Sequence, residues 1–123
     1  MSSWQASPMP EHQTDIELAA IPEIAEALGV AVSRVHQYVR DGALVAVRGE
    51  DGTRRVPAAF VQDGAIVKGL TGVVTLLRDA GYEDHEIVDW LFRDDDSLPG
   101  TPVQALRENR GREVKRRAQV AGY

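Results

Sequence analysis

The stretch from residue 21 to residue 57 constrains the fold most, because the spacing of its apolar residues changes from that of helices to that of a hairpin. Apolar residues recur every three or four positions up to Gly29, which predicts a helix over about residues 22–28. Gly29 suits the left-handed end of such a helix. After a three-residue turn that starts at this glycine, a second helix is predicted over about residues 32–41, and Gly42 ends it. Two short helices joined by a tight turn are therefore expected.

A β-hairpin is predicted directly after these helices. The runs LVAVR at 44–48 and TRRVP at 53–57 flank the turn sequence EDG at 50–52, and Asp-Gly is a strong hairpin signal. Two short helices followed by a hairpin form a winged helix-turn-helix, in which the second helix fits the major groove of duplex DNA and the hairpin, or wing, reaches the backbone or minor groove. The order of elements therefore predicts a DNA-binding domain over about residues 16–62.

The second helix carries polar side chains on the face that its apolar residues leave free. Its inner side is expected to hold Val32, Val35, Tyr38 and Val39. Its outer side is expected to hold the residues that contact DNA, which are Ser33, Arg34, Gln37 and Arg40. An arginine can bridge two acceptors on guanine, and a glutamine can do the same on adenine. The second helix is therefore the predicted reading element.

The predicted wing supplies further cations. Arg48, Arg54 and Arg55 are expected to lie beside DNA phosphates. The turn residues Glu50 and Asp51 are acidic, so the tip of the wing is expected to lie away from phosphate. The alternative interpretation is that the helix-turn-helix has only a structural role and that its arginines are ordinary solvated surface.

The net charge of −5 conceals two basic segments in an acidic chain. Residues 30–58 carry five arginines against three acidic residues, and residues 102–123 carry six basic residues against two acidic ones. The first basic segment coincides with the predicted second helix and wing, which supports contact with a polyanion. The overall acidity predicts modest affinity for a single copy, and both a monomer and a homodimer fit the sequence.

The rest of the chain is predicted to be helical, with a tail before it. Residues 1–15 are rich in Ser, Pro and Gln and are expected to form a disordered tail. Asp84 is expected to cap one of the later helices. Four helices are predicted after the wing, over about residues 66–80, 84–92, 102–109 and 111–121. The expected fold is mainly α, a winged helix-turn-helix extended by a C-terminal helical subdomain over residues 63–123 that packs on it.

Catalytic and metal-dependent functions find little support. The three histidines are scattered, and no nucleophile has a base at usable spacing, so no catalytic residue and no cofactor are predicted. The run Asp94, Asp95 and Asp96 lacks the ligand pattern of an EF-hand and is expected to be solvated, so no metal is predicted. The chain has no cysteine and no run of about 18 apolar residues, which fits a cytoplasmic protein without a membrane partner.

The string LGVAVSRVHQYVRDGALVAVRGEDGTRRVP resembles the compact winged helices of the MerR and excisionase type. The chain from about Ile16 to Tyr123 more closely resembles an actinobacterial family of winged-helix DNA-binding proteins described as substrates of a serine/threonine protein kinase. The stretches LVAVR, IVKGLTGVVTLLRDAGYEDHEIVDWLF and REVKRRAQVAGY carry this resemblance. It implies binding of duplex DNA without enzymatic activity and a disordered tail that can receive phosphate from a kinase. Together with the predicted reading helix and wing, this favours a sequence-specific or architectural DNA-binding protein, that is, a transcriptional regulator or a nucleoid-type protein. Thr14 is the candidate phosphorylation site, and the competing tail hydroxyls are Ser2, Ser3 and Ser7.

The C-terminal half also resembles the helical module of Xre-type antitoxins. In that module a Trp-Leu pair precedes a loop, a Thr-Pro helix start and an arginine-rich last helix, as at Trp90, Thr101 and residues 110–117 here. The resemblance implies dimerisation or binding of a protein partner, which makes an interaction adaptor the alternative function. The other interpretation is that these helices only extend the core over the open side of the winged helix.

Overall fold

The computed structural model describes residues 16–94 and 100–121. The predicted tail, with Thr14, lies outside these residues, as do Asp95 and Asp96. In chain order the elements are β1 (Leu18–Ala20), α1 (Ile21–Leu28), α2 (Val32–Arg40), β2 (Val47–Arg48), β3 (Arg54–Pro57), a 3-10 turn (Ala58–Phe60), β4 (Val61–Gln62), β5 (Ala65–Ile66), α3 (Leu70–Asp79), α4 (Asp84–Leu91), α5 (Pro102–Arg107) and α6 (Gly111–Ala121). The expectation of a mainly helical winged helix-turn-helix is confirmed.

The tight turn between α1 and α2 forms as the sequence predicts. Gly29 adopts a left-handed φ of 71°, and its N–H and that of Val30 return to carbonyl groups in the last turn of α1. At the other end, the Glu23 carboxylate accepts the Ala20 N–H at 2.9 Å, which satisfies a donor that the start of the helix leaves without a partner. α2 begins at Val32, so only three residues separate the helices. This turn holds α1 and α2 in contact.

The wing belongs to a sheet of three strands rather than to an isolated hairpin. β3 lies in the centre, with β2 antiparallel on one side and β1 antiparallel on the other. The strand β1 was not predicted, because three consecutive apolar or small residues that run directly into a helix have no alternation. The predicted first strand also begins too early. Leu44, Val45 and Ala46 are consecutively buried in a segment that joins α2 to β2, which leaves only Val47 and Arg48 paired.

A second, smaller hairpin precedes α3. β4 and β5 pair around Asp63 and Gly64, which have positive φ angles of 55° and 78°. Positive φ at both turn residues is the geometry that Asp-Gly favours, so the signal for this hairpin was present in the sequence. The predicted start of the next helix at residue 66 is therefore wrong. α3 starts at Leu70, directly after Gly69, whose φ is 88°.

The C-terminal helices follow the predicted order with shorter bounds. The expectation that Asp84 caps α4 is wrong, because Glu83 is the N-cap and its own N–H is accepted by Glu86 at 2.8 Å. At α5 the Thr101 hydroxyl accepts the N–H of Gln104 at 3.2 Å. Among the described residues, no helix has the length and apolar character needed to cross a bilayer.

One apolar core joins the two halves of the described chain. Buried residues of α1, α2 and the sheet form a single cluster with those of α3 to α6. Phe60, in the segment that follows β3, is fully buried. The centroid of its ring lies 6.0 Å from the centroid of the Phe92 ring at the end of α4. Arg107 of α5 donates to the carbonyl groups of Ala59 at 2.8 Å and Val61 at 3.0 Å. These contacts fix the C-terminal helices against the segment that leaves the wing.

Candidate nucleic-acid interface

α2 presents a polar face that its buried residues determine. Val35 and Val39 are buried against the core, and Tyr38 is half-buried. The four residues proposed to contact DNA from this helix are all exposed: Ser33, Arg34, Gln37 and Arg40. The expectation that Val32 faces inward is wrong, since it is 41% exposed at the first position of the helix. Adjacent His36 is exposed too and widens the polar face.

The two arginines of α2 have no internal partner for their positive charge in the described part of the chain. The side chains of Arg34 and Arg40 make no hydrogen bond or ion pair with any residue that the structure describes. Asp41 is the acidic residue next to them in sequence, and it lies beyond the helix as its C-cap. An unpaired guanidinium on a rigid helix is prepared for a bidentate contact, because no internal bond has to break first.

The register of the wing separates its three arginines. Arg48 of β2 lies directly opposite Arg54 of β3, whereas Arg55 lies opposite Val47. Residues directly opposite each other share a face of the sheet, and successive residues of a strand alternate faces. Arg48 and Arg54 therefore lie together on one face and Arg55 lies on the other. Two like charges placed opposite each other repel, which an anion held between them would relieve.

Two of the wing arginines are engaged by the turn. Arg48 Nη1 donates to the Gly52 carbonyl at 3.0 Å, and Arg55 Nη2 lies 3.1 Å from Asp51 Oδ2. Arg54 makes no such contact within the described part of the chain. The sequence predicts the same role for Arg54 and Arg55, because two consecutive arginines do not indicate which of them pairs with the Asp51 carboxylate.

Asp51 organises the turn as well as holding Arg55. Its Oδ1 accepts the N–H of Thr53 at 3.0 Å, and Gly52 follows it at a left-handed φ of 82°. The Thr53 backbone N–H, and to a smaller extent the Arg55 guanidinium, lower the pKa of Asp51 below its ordinary value of 3.8. Asp51 is therefore a stable negative charge at neutral pH, and the tip of the wing is acidic, as its sequence indicates.

A group of potential metal ligands lies at the start of α4. Glu83, His85 and Glu86 bring ligand atoms within 4.8 Å of one another, and all three are exposed. Both carboxylates already serve the helix start, since Glu83 caps it and Glu86 accepts the Glu83 N–H. The cluster is accounted for by helix capping.

Known proteins are similar to this chain in sequence and in fold. A family model described as "DNA-binding protein Rv2175c, wHTH domain" matches residues 12–61, and one described as "Rv2175c C-terminal domain of unknown function" matches residues 67–122. The protein called DNA-binding protein Rv2175c, from Mycobacterium tuberculosis, is 44% identical over 115 residues, which cover 84% of this chain and 79% of the relative. This chain belongs to the Rv2175c family.

A solved structure supports the same assignment. The NMR structure of Rv2175c superposes with a TM-score of 0.80 at 40% sequence identity, and the match covers 97% of this chain and 87% of that one. The resemblance to an actinobacterial winged-helix DNA-binding family is thereby confirmed. The Rv2175c family model for the C-terminal half leaves its function open, so the resemblance of that half to Xre-type antitoxins stays a prediction.

The contacts of Asp51 predict how it titrates. Because the Thr53 N–H contributes more than Arg55, Arg55→Gln should raise the pKa of Asp51 only partly and leave it below 3.8. A lowered pKa means that the stabilising effect of the carboxylate is complete above about pH 4 and is lost as the pH falls through the lowered value. NMR titration of the Asp51 carboxyl carbon in both proteins measures this. A pKa at or above 3.8 in the unaltered protein would contradict it.

Proposed function

We propose that this protein binds duplex DNA, with α2 in the major groove and the wing on the sugar-phosphate backbone. The observation that carries the proposal is the outward face of α2, where Arg34 and Arg40 are exposed and unpaired among the described residues and flank the exposed amide of Gln37. A relative of 44% identity bears the name DNA-binding protein. An α-helix such as α2 is about 10–12 Å across with its side chains, which suits a major groove about 12 Å wide.

The four polar side chains of α2 fall into two roles in this proposal. Arg34 and Gln37 lie three residues apart, so they share one side of the helix and suit base edges. Ser33 lies at the second position of the helix and suits a phosphate or a base, while Arg40 in the last turn suits a phosphate. Sequence preference then comes from α2, and orientation comes from the backbone contacts.

The wing adds affinity without reading sequence. Arg54 is the first contact, because its side chain is exposed and engages no described residue. Arg48 shares its face and can turn from the Gly52 carbonyl to a phosphate. Arg55 contributes only when it leaves Asp51, so the acidic tip limits how strongly the wing binds. Association with DNA is therefore expected to be moderate and sensitive to salt.

The proposal extends to transcriptional regulation by a protein that performs no catalysis. A reader of specific sequence with modest affinity fits such a role, and phosphorylation of Thr14 in the tail fits its control. The rival function is that of an adaptor that binds a protein partner through the C-terminal helices. Salt titration separates these functions, because a DNA-binding protein loses affinity with a log-log slope of about −0.9 for each phosphate contact. An adaptor would bind duplex weakly or not at all.

The first prediction concerns the reading helix. Arg34→Ala should weaken binding to a duplex selected from a random pool by about 1–3 kcal/mol, because a bidentate contact with a base is lost. Fluorescence anisotropy measures the affinity, and Arg93→Ala removes the same charge from an exposed arginine paired with Asp89. Equal affinity of Arg34→Ala and the unaltered protein would remove Arg34 from the interface.

The second prediction concerns the wing tip. Asp51→Asn keeps an acceptor for Thr53 but releases Arg55, so it should strengthen binding to duplexes of any sequence and steepen the salt slope by about 0.9. Glu50→Gln is the matched control, because it removes an equal charge from the same turn without releasing an arginine. Arg54→Ala should make the slope shallower by a similar amount. Identical slopes for Asp51→Asn and Glu50→Gln would show that the Arg55 pair does not limit binding.

The third prediction concerns the tail. A phosphate on Thr14 adds a charge of about −1.5 to −2 beside Glu11 and Asp15, which would repel DNA or compete with it for the arginines of α2. Thr14→Glu should therefore bind duplex more weakly than Thr14→Ala at low salt, and the difference should shrink as salt rises. Equal affinity of the two variants at low salt would exclude control through this charge.

A further inference from the structure

A second basic surface lies in the C-terminal half, in a groove between the first turns of α3 and α6. Seven residues line this groove, and none is acidic: Lys68, Gly69, Gly72, Asn109, Gly111, Arg112 and Lys115. The side chains of the three cations Lys68, Arg112 and Lys115 are exposed, and none of these side chains bonds to another residue in the described part of the chain. The groove therefore concentrates positive charge in a protein whose net charge is −5.

Nearby carboxylates are neutralised by a different residue. Glu108 and Glu113 are the acidic residues in sequence next to the groove, and both face Arg110, at 3.0 Å and 3.9 Å. Arg110 is only 27% exposed at its side chain, so it serves these two pairs and does not enter the groove lining. The cations of the groove thus keep their charge for a partner from solution.

The floor of the groove is backbone rather than side chain. A Cβ atom on Gly69 would lie 3.2 Å from Leu106 Cδ2, and the residue has a φ of 88°, so glycine is required there. A Cβ atom on Gly72 would meet no atom within 4 Å, so this position opens into the groove. Exposed backbone flanked by cations suits a compact anion such as a phosphate group.

The groove is physically joined to the reading helix. The Thr71 hydroxyl, adjacent to Gly72, donates to the Ala43 carbonyl at 3.2 Å. Ala43 lies three residues beyond Arg40, so their Cα atoms are at most about 11 Å apart. The path from Arg40 to the groove is therefore on the order of 20 Å, which is less than one turn of duplex DNA at about 34 Å. The groove and α2 therefore lie within the length of one duplex turn of each other.

We propose that Lys68, Arg112 and Lys115 form a second phosphate-binding surface for the same DNA duplex that α2 contacts. This inference rests on the proposed function and gives a role to the C-terminal domain of unknown function. Charge complementarity favours DNA as the occupant, because the groove presents three unpaired cations and its lining carries no carboxylate. The contacts add affinity and fix the direction in which the duplex leaves α2, while base preference stays with α2.

The salt dependence of DNA affinity tests this surface. Lys68→Gln combined with Lys115→Gln should make the log-log slope shallower by about 1.8, which is two phosphate contacts, and each lost contact should cost about eightfold in affinity at 0.1 M salt. Base preference in a random-pool selection should not change. Arg93→Gln is the control for net charge, because Arg93 is exposed and lies outside both surfaces.

Gly72 supplies a second test that does not endanger folding. Gly72→Glu places a carboxylate in the groove where there is room, in the first turn of α3, where an acidic residue favours the helix. It should bind duplex roughly tenfold more weakly than Gly72→Gln at 0.1 M salt, since the two differ by one charge. Circular dichroism checks that both variants keep the fold.

The outcomes separate the two proposals. Absence of duplex binding by the unaltered protein would contradict the proposed function itself. If the unaltered protein binds and Arg34→Ala weakens binding, but the groove variants keep the original slope and affinity, only the second surface is wrong. That result would overturn DNA as the occupant of the groove and would favour an acidic protein instead. A shallower slope for the lysine variant together with a difference between the two Gly72 variants supports the proposal.

Discussion

The burial of Val35 and Val39 in the apolar core is the constraint on which the rest of the site depends. A helix of 3.6 residues per turn has no freedom once one stripe is buried, so burying these two valines turns Ser33, Arg34, Gln37 and Arg40 to solvent. The packing holds because the turn at Gly29 is short and left-handed, which brings the apolar stripes of α1 and α2 together. A looser turn would let α2 rotate and move its arginines.

The protein presents positive surfaces despite its acidity by pairing many of its charges internally. Arg78 pairs with Asp84 at 2.8 Å, Arg93 with Asp89 at 2.8 Å, and Arg110 with Glu108 at 3.0 Å. Exposed pairs of this kind add little to stability. These pairs neutralise acidic residues away from the two basic surfaces. The side chains of the α2 arginines and of the cations in the α3–α6 groove have no internal partner in the described chain, so their positive charge is not cancelled locally. The net charge thus describes this surface poorly.

The C-terminal helices do more than extend the chain, because they support the base of the wing. Arg107 donates to two carbonyl groups in the segment after β3, and the rings of Phe60 and Phe92 lie against each other in the shared core. A carbonyl group that loses its donor in a half-buried site costs free energy, so these bonds hold the exit of β3 in place. The same set of helices thus supports the wing and forms the basic groove between α3 and α6.

The sequence by itself determined the order of the helices, the position of the wing and the residues on the outer face of α2, because these depend on periods of 3.6 residues and on local turn chemistry at Gly29 and Gly52.

The sequence did not reveal β1, whose identity as a strand comes only from pairing with β3. Nor did it separate Arg54 from Arg55, since the register of β2 on β3 and the reach of Asp51 decide which arginine is held. The groove between α3 and α6 was equally invisible, because Lys68 and Lys115 are brought together by packing and not by spacing along the chain. Helix periodicity and turn signals depend on residues that are neighbours in sequence. Strand pairing, strand register and the approach of distant charged residues depend on tertiary packing.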